Sequence, residues 1–422
     1  MPRILLLPLF LVAARFAAGA QEPQPQPLTV QQAVRAAVRN DPRLAAAVRD
    51  TQAAEHGVGA ARALANPEIS FTPAITEFGS DEELLVVQPL ELNGARAARA
   101  GAARARLRIA RAEALGELRS LVFATKSAYA DLFGARGETA LARDLLRTTQ
   151  ELERLTRRQV EIGTRPAIDQ TQAAIEVARA MGQVTRAEGR ERVAEIALAT
   201  RIGGDPDRPI GALAGLEVAP ATQDRASLVA GALGAREDIV AADASAEARR
   251  QEARLGRAEG LPDLAPQIRA TRLTRGVREA GIGIAITLPL FDHGARRGRV
   301  RQAEEAALAE QERARAVRRQ VRQEVEQAIT QVTAEQAVVA LYEKGLLADA
   351  RRLLEASRIG YEEGKTALFA TIEAQRTYRA VQNDYLGHQV ALALALAELE
   401  RATGAVPPDL LPSGQASPRR AR

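Results

Sequence analysis

The chain has 422 residues, with 58 Lys and Arg against 53 Asp and Glu, which leaves a mild positive charge of +5. That length allows two or three ordinary domains. Aromatic residues make up only 3% and Trp is absent, so a large globular core would be hard to fill. There is no Cys, which excludes disulfides, thiolate metal sites and lipid attachment through an N-terminal cysteine. Arg and Glu are interspersed along helical stretches. That pattern suits a solvated helix face rather than a nucleic-acid footprint, so no nucleic-acid partner is expected.

Residues 1–20 read as a secretory signal peptide. Arg3 precedes the apolar run Ile4 to Ala14, and Ala18-Gly19-Ala20 forms a small-residue cleavage site. Removing Arg3 and Arg15 leaves a mature charge near +3. Gln21 to Pro27 is a flexible leader. Thr29 is placed to cap a short helix through Arg39. Asn40-Asp41-Pro42 ends that helix and starts another, which runs to about Ala65. Asn66-Pro67 opens a strand over about 67–75, Phe78 to Asp81 turns the chain, and a second strand returns over about 83–92.

A long helix follows over 95–162. Leu118, Val122, Thr125, Tyr129 and Leu132 step by four and three, as do Leu141, Leu145, Thr148, Leu152, Leu155, Gln159 and Ile162. That step predicts a coiled-coil seam. A turn at 163–166 leads into a helix to about Ile202, and Pro166 fits its first turn. Ile168, Ile175, Gly182, Gly189 and Ile196 recur every seventh residue. The glycines there permit close approach of a neighbour. Residues 21–203 thus form one repeat, and 204–226 is a loose linker rich in Pro, Gly and Ala.

The plan then recurs over 227–404, offset by about 200 residues. Arg236-Glu237-Asp238 stands where Asn40-Asp41-Pro42 stood. Strands are expected over about 264–272 and 280–291. Ile282, Ile284, Ile286, Leu288 and Leu290 alternate with Gly283, Ala285, Thr287 and Pro289, one greasy face against one small or polar face. A second long helix spans 294–363, with Val325, Val332, Val339, Leu346 and Leu353 at spacings of seven, and a turn at 364–366 answers 163–166. Residues 405–422 read as a polar, disordered tail.

These lengths constrain the fold. In each repeat the two shorter helices nearly match the long one when laid end to end beside it, about 100 Å at 1.5 Å per residue. The hairpin then sits at one extremity and the glycine turn at the other. Each chain owns four strands of bilayer-crossing length, too few to close a barrel, and open edges cannot face lipid. Pooling strands from three chains in a homotrimer is the economical closure. The expected fold is α-helical plus membrane β: a trimeric 12-stranded β-barrel continued by a periplasmic α-barrel.

The tandem repeat, the stretch LPLFDHGARRGRV and the turns IGTRPAIDQTQA and YEEGKTALFATIEAQ resemble the TolC-like outer-membrane efflux proteins over nearly the whole mature chain. ANPEISF followed by VQPLELNGARAARAGAARA is most similar to the Czc-type branch serving heavy-metal cation pumps. The resemblance implies an outer-membrane location in a Gram-negative bacterium, with the helices in the periplasm. It implies outer-membrane lipid, a periplasmic adaptor and an inner-membrane proton-driven pump as partners. It also implies that the two turns form the periplasmic tip and the adaptor-docking surface, made of Ile162, Gly163, Thr164, Arg165, Glu363, Gly364, Lys365 and Thr366. Family pores narrow at acidic rings past the second turn; the matching positions here are Ala370 and Glu373, with Asp169 equivalent to Ala370 in the first repeat. Glu373 and Asp169 are therefore the candidate constriction residues, since a ring of carboxylates selects cations.

No catalytic set, phosphate-cradling loop or metal-ligand cluster is found, and neither enzyme activity nor a cofactor is expected. His56, His293 and His388 lie on different elements. The leading reading is a passive duct in a tripartite efflux system, conducting heavy-metal cations. Within transport, a duct for drugs, small molecules or type I polypeptide secretion stands beside it. From a different class, a periplasmic coiled-coil structural protein would explain the heptads but not the strands, and a hydrolytic enzyme would need a constellation that is absent.

Overall fold

The computed structural model describes residues 27–73, 82–216, 224–273, 279–287, 293–405 and 410. The expected signal segment, the expected turns of both hairpins, Leu288 to Leu290 and most of the tail lie outside these residues. Thr29 caps α1 (Val30–Asn40) and forms a reciprocal pair with Gln32. Asp41 caps α2 (Pro42–Arg62) by accepting from the Arg43 and Leu44 amides. The strands β1 (Glu68–Thr72) and β2 (Glu83–Val87) lead to α3 (Ala95–Glu161) and α4 (Ala167–Arg201). The second half holds α5 (Arg225–Ala235), α6 (Glu237–Ala258), β3 (Asp263–Thr271) and β4 (Glu279–Thr287). It closes with α7 (Ala295–Leu341), α8 (Leu347–Glu362) and α9 (Leu368–Thr403).

Both first-half strands are shorter than the alternation suggests. Pro89 has no N–H to extend the ladder, although the Gln88 and Leu90 amides still donate to the Pro266 and Leu264 carbonyls. The sheet is a four-stranded meander in the order β1-β2-β3-β4, so the two repeats join through β2 and β3. Residues directly opposite in antiparallel strands share a face. The register therefore sets Ile69, Val86, Ile268 and Ile282 in one row across all four strands. Ile69, Ile268, Ile282, Ile284 and Ile286 are all exposed, Ile282 at 88%. The opposite face carries Ser70, Leu85, Arg269 and Gly281, with Glu68, Val87, Gln267 and Gly283 beside them.

The helices form a layer. Above, α2, α3, α6 and α7 pack in that order; below, α4, α3, α9 and α7–α8 do so. The shorter helices thus lie end to end beside the long ones. On one face of this layer runs a belt of α1, α5 and residues 204–216. The 204–226 segment, expected to be loose, is stapled there over its described part. Leu28 exchanges backbone hydrogen bonds with Ala212 and Ala214, and the buried Tyr129 hydroxyl donates toward the Leu28 and Ala214 carbonyls at 2.8 and 2.6 Å. Arg136 donates to the Gly211 and Ile210 carbonyls. These partners lie far away in sequence, so Pro and Gly content did not disclose them. Leu410, in the tail expected to be disordered, packs against the cluster that includes Val34, Leu118 and Val122.

The seam of α3 follows the expected positions from Leu118 to Leu132, all buried. Beyond that the expectation needs correction. Leu141, Leu145, Leu152 and Leu155 are half-buried, and Ile162 is 73% exposed. The buried positions are Ala142, Thr149 and Thr156. Each threonine hydroxyl donates to the carbonyl four residues back, Leu145 at 2.7 Å and Leu152 at 2.9 Å. That bond removes the cost of burying the hydroxyl, and the small side chains let a neighbour approach closely. On α4 the buried positions are likewise Ala173, Ala180 and Ala187, while Ile168, Ile175 and Ile196 are exposed.

The second long helix is not continuous. A π-helical turn, Tyr342–Leu346, separates α7 from α8. Ala295–Glu362 is one residue longer than Ala95–Glu161, and a π turn absorbs one extra residue without breaking the rod. The buried phase shifts by one residue across it. Val325 and Val332 are buried as their spacing predicts, but Leu346 and Leu353 are exposed, and Ala350 and Tyr361 are buried in their place.

Candidate functional site

The two glycine turns lie together at the end of the helical layer opposite the sheet. Gly163 and Gly364 end their helices at φ +74° and +76°, the left-handed region where a side chain would strain the backbone. After each glycine the chain folds back onto the helix: the Thr164 amide donates to the Gln159 carbonyl at 2.9 Å, and the Lys365 amide to the Gly360 carbonyl at 2.8 Å. Pro166, expected inside the next helix, instead caps it in extended geometry, as Ala367 does in the second repeat.

One arginine stitches the turns together. Arg165 donates to the Thr366 carbonyl at 2.9 Å and lies over the Tyr361 ring, 4.8 Å from its centroid. The Tyr361 hydroxyl is buried and meets Thr156 Oγ1 at 2.9 Å. Of the eight expected docking residues, Ile162, Gly163, Thr164, Glu363, Gly364 and Lys365 are exposed, while Arg165 and Thr366 are half-buried in this stitch. Glu363 and Lys365 form a surface pair at 2.6 Å.

The candidate constriction residues have different settings. Glu373 is exposed on α9, and its nearest cation is Arg376 at 3.7 Å. Arg376 also binds Glu176 on α4 at 2.7 Å, tying the two helices together just above the turns. Asp169 sits half-buried in the first turn of α4, where the helix dipole favours a carboxylate. Sequence reasoning missed the Arg376–Glu176 bridge, the Arg165–Tyr361 stack and the contact of Gln375 with Thr148 and Thr149. Each joins residues far apart in the chain. Only the seven-residue spacing of Ala142, Thr149 and Thr156 hinted that small residues mark the packed face.

The histidines stay apart. His56 and His293 are exposed, and His388 pairs with Glu335 at 2.9 Å beside the Tyr342 ring. Among the described residues no group of His, Asp or Glu is arranged to hold a metal. No described helix is long and apolar enough to cross a membrane.

At the level of the belt, ionised groups join the repeats. Arg119 on α3 and Glu237 on α6 form a buried pair at 2.8 Å. Burial depresses the Arg119 guanidinium below its usual range and raises the Glu237 carboxyl above its own, each only partly offset by the other. Next to them, Arg236 is buried. It binds Asp238 at 2.5 Å and Glu324 at 2.8 Å, and donates to the Ala402 carbonyl at 3.0 Å. Burial works against these charges too, but the Arg236 contacts win and hold Asp238 and Glu324 below the ordinary carboxylate range.

Comparison with known proteins agrees with this architecture. The family described as "Outer membrane efflux protein" matches residues 33–204 and 228–405. The chain is 26% identical over 365 residues to the cobalt-zinc-cadmium resistance protein CzcC of Cupriavidus metallidurans, covering 86% of each. Its fold is similar to the solved CusC channel, with a TM-score of 0.76 at 17% identity over 89% of this chain and 91% of that one. The outer membrane protein VceC of Vibrio cholerae superposes with a TM-score of 0.74 at 20% identity over 89% and 96%. Such proteins are non-enzymatic transport ducts of the outer membrane, with their helical part in the periplasm. Two matched repeats covering most of the chain, on a fold shared with solved channels, make this protein a member of the outer membrane efflux protein family.

Proposed function

We propose that the chain is one third of a trimeric duct that conducts heavy-metal cations outward, fed by a periplasmic adaptor and an inner-membrane proton-driven pump. The observation that carries the trimer is the sheet. Among the described residues it has an exposed apolar face and two edges without a strand partner, β1 and β4. A sheet so built is stable only in lipid and only when closed. Three copies supply a twelve-stranded barrel. The helical layer supports the same closure, because α4 and α8 are its lower edges and both expose apolar side chains. Ile168, Ile175 and Ile196 are exposed on α4, and Leu353 and Ile359 on α8. The belt then lies outside and the opposite face of the layer lines the bore.

The metal cargo rests on the likeness to CzcC, and docking of the adaptor on the six exposed turn residues rests on family resemblance. Glu373, with Asp169, would form the cation-selecting ring near the tip. The test is the mass and conductance of the mature protein reconstituted in lipid bilayers. A trimeric mass and cation-preferring channels that lose their preference in Glu373→Gln are expected. A stable monomer, or mature protein soluble without detergent, would overturn the duct. Unchanged preference in Glu373→Gln would remove only the ring. For the cargo, a deletion strain should become sensitive to cobalt, zinc or cadmium; unchanged sensitivity would leave the duct and reject the metal.

A further inference from the structure

A cavity of about 310 Å³ opens between α3, α4 and α9, lined by Glu138, Gln183, Arg186, Arg190, Arg379 and Asn383 among others. It lies on the face of the helical layer away from the belt, because on α4 the residues that bind the belt side, Arg192 and Glu195, point the other way. Three guanidinium groups meet one carboxylate there. Glu138 is taken by Arg190, at 2.9 and 2.6 Å. Among the described residues Arg186 and Arg379 have no carboxylate partner. Arg379 is half-buried, and its Nε atom is buried with no hydrogen-bond partner. Burial depresses its basicity with no carboxylate offsetting the effect, in a residue that keeps its proton in proteins. Most other arginines on these helices are paired to Asp or Glu, as Arg143 is to Glu188 and Arg376 to Glu176.

A partly desolvated guanidinium without a counter-charge carries a cost, and two planar donors lining one cavity match the geometry of an oxyanion. We propose that Arg186, Arg190 and Arg379 bind a small oxyanion, phosphate or carboxylate, with the amide groups of Gln183 and Asn383 completing the shell. The cavity is built by one chain, so binding does not require the trimer; that the bound anion faces the bore rests on the duct reading above. There the site would hold an anion about two to three turns above the Glu373 level, so that the bore alternates in sign rather than being acidic throughout.

The test is isothermal titration of the detergent-purified full-length mature protein at low ionic strength with two probes, inorganic phosphate and tricarballylate. Wild type should bind at least one of them, with affinity falling about tenfold or more in Arg379→Gln and in Arg186→Gln, and partly recovered in Arg379→Lys. Arg186 is exposed, so its variant reports even if Arg379→Gln folds poorly; thermal unfolding checks both. Binding of phosphate alone identifies a free inorganic anion as the ligand, binding of tricarballylate alone a polycarboxylate, and binding of both a general oxyanion site; each supports the proposal. No binding of either probe overturns it. So does equal loss in Arg154→Gln, a distant exposed arginine, or undiminished binding in the two variants. Bilayer conductance of the wild type judges the duct separately.

Discussion

At the corner of the first repeat a neutral amide, Asn40 Nδ2, donates to the Ile202 carbonyl at the end of α4, at 2.7 Å. At the corner of the second, the Arg236 guanidinium does the same for the Ala402 carbonyl at the end of α9. The duplicated fold thus meets one need, an unsatisfied carbonyl at a helix end, with two chemistries. The amide adds no charge. The buried arginine holds the half-buried carboxylates of Asp238 and Glu324, and next to it Arg119 and Glu237 pair across the two repeats. The long helices diverge as well: α3 is continuous, while its partner spends one extra residue on the Tyr342–Leu346 turn. A repeat unit therefore conserves geometry, and the residues that secure it are free to differ.

The sharpest way to break the comparison is to delete one residue from each long helix. Removing Asp144 from α3 rotates everything beyond it by about 100°, turning Thr149 and Thr156 out of their packed positions. A loss on the order of 5 kcal/mol or more is expected. Removing Gly345, its counterpart, should convert the π turn to regular helix and change stability by only about 1 kcal/mol. Urea unfolding of the two deletions checks this, and equal damage would show that the π turn is not where the extra residue is absorbed.

The corners should differ next. Arg236→Ala leaves the half-buried Asp238 and Glu324 without their main partner and the Ala402 carbonyl without its donor, and should cost about 2–3 kcal/mol. Asn40→Ala loses one neutral hydrogen bond, about 1 kcal/mol. Comparable losses in denaturant melts would mean that the cluster adds nothing to the cap. Arg119→Met alone leaves the Glu237 carboxylate buried and uncompensated, at a cost of about 3 kcal/mol, whereas Arg119→Met with Glu237→Leu should be neutral or stabilising. A double variant no better than the single one would show that the pair is worth more than its desolvation.

The smallest expected effect is with pH. Asp238 and Glu324 are depressed in the folded chain. The stability they provide is complete above the ordinary carboxylate range near pH 4 and is lost as pH falls through their lower folded values. Glu237 is raised, so its contribution runs the opposite way: it favours the fold below the ordinary glutamate value and fades as pH rises. Asn40 does not titrate. Acidification below about pH 4, followed by hydrogen exchange, should therefore loosen the Arg236–Ala402 corner before the Asn40–Ile202 corner. The reverse order, or simultaneous loosening, would contradict the assignment.

Much of this was legible in the residues. The alternating isoleucines of β4 announced a strand with one greasy face, and Thr29, Asp41, Gly163 and Gly364 marked helix ends through bonds confined to a few neighbours. The resemblance carried by the paired turns led to the family. Less visible was the true packed face below Leu132, because Thr149 and Thr156 hide their polarity in bonds to their own helix. The Arg165–Tyr361 stitch and the Arg376–Glu176 bridge could not be read, since nothing local in Arg165 or Glu176 names a partner about 200 residues away.

Taken alone, the order of residues determined what is local: the period of each element, its ends, its turns, and the doubling of the plan, because backbone hydrogen bonds and side-chain spacing act over a turn or less. Only the tertiary structure decided which flank of each rod is buried, where the extra residue of the second repeat went, and which charges meet at the belt and in the α3–α4–α9 cavity. Those outcomes depend on how closely distant helices approach and how much water they exclude, and such contacts leave no periodic trace in the chain.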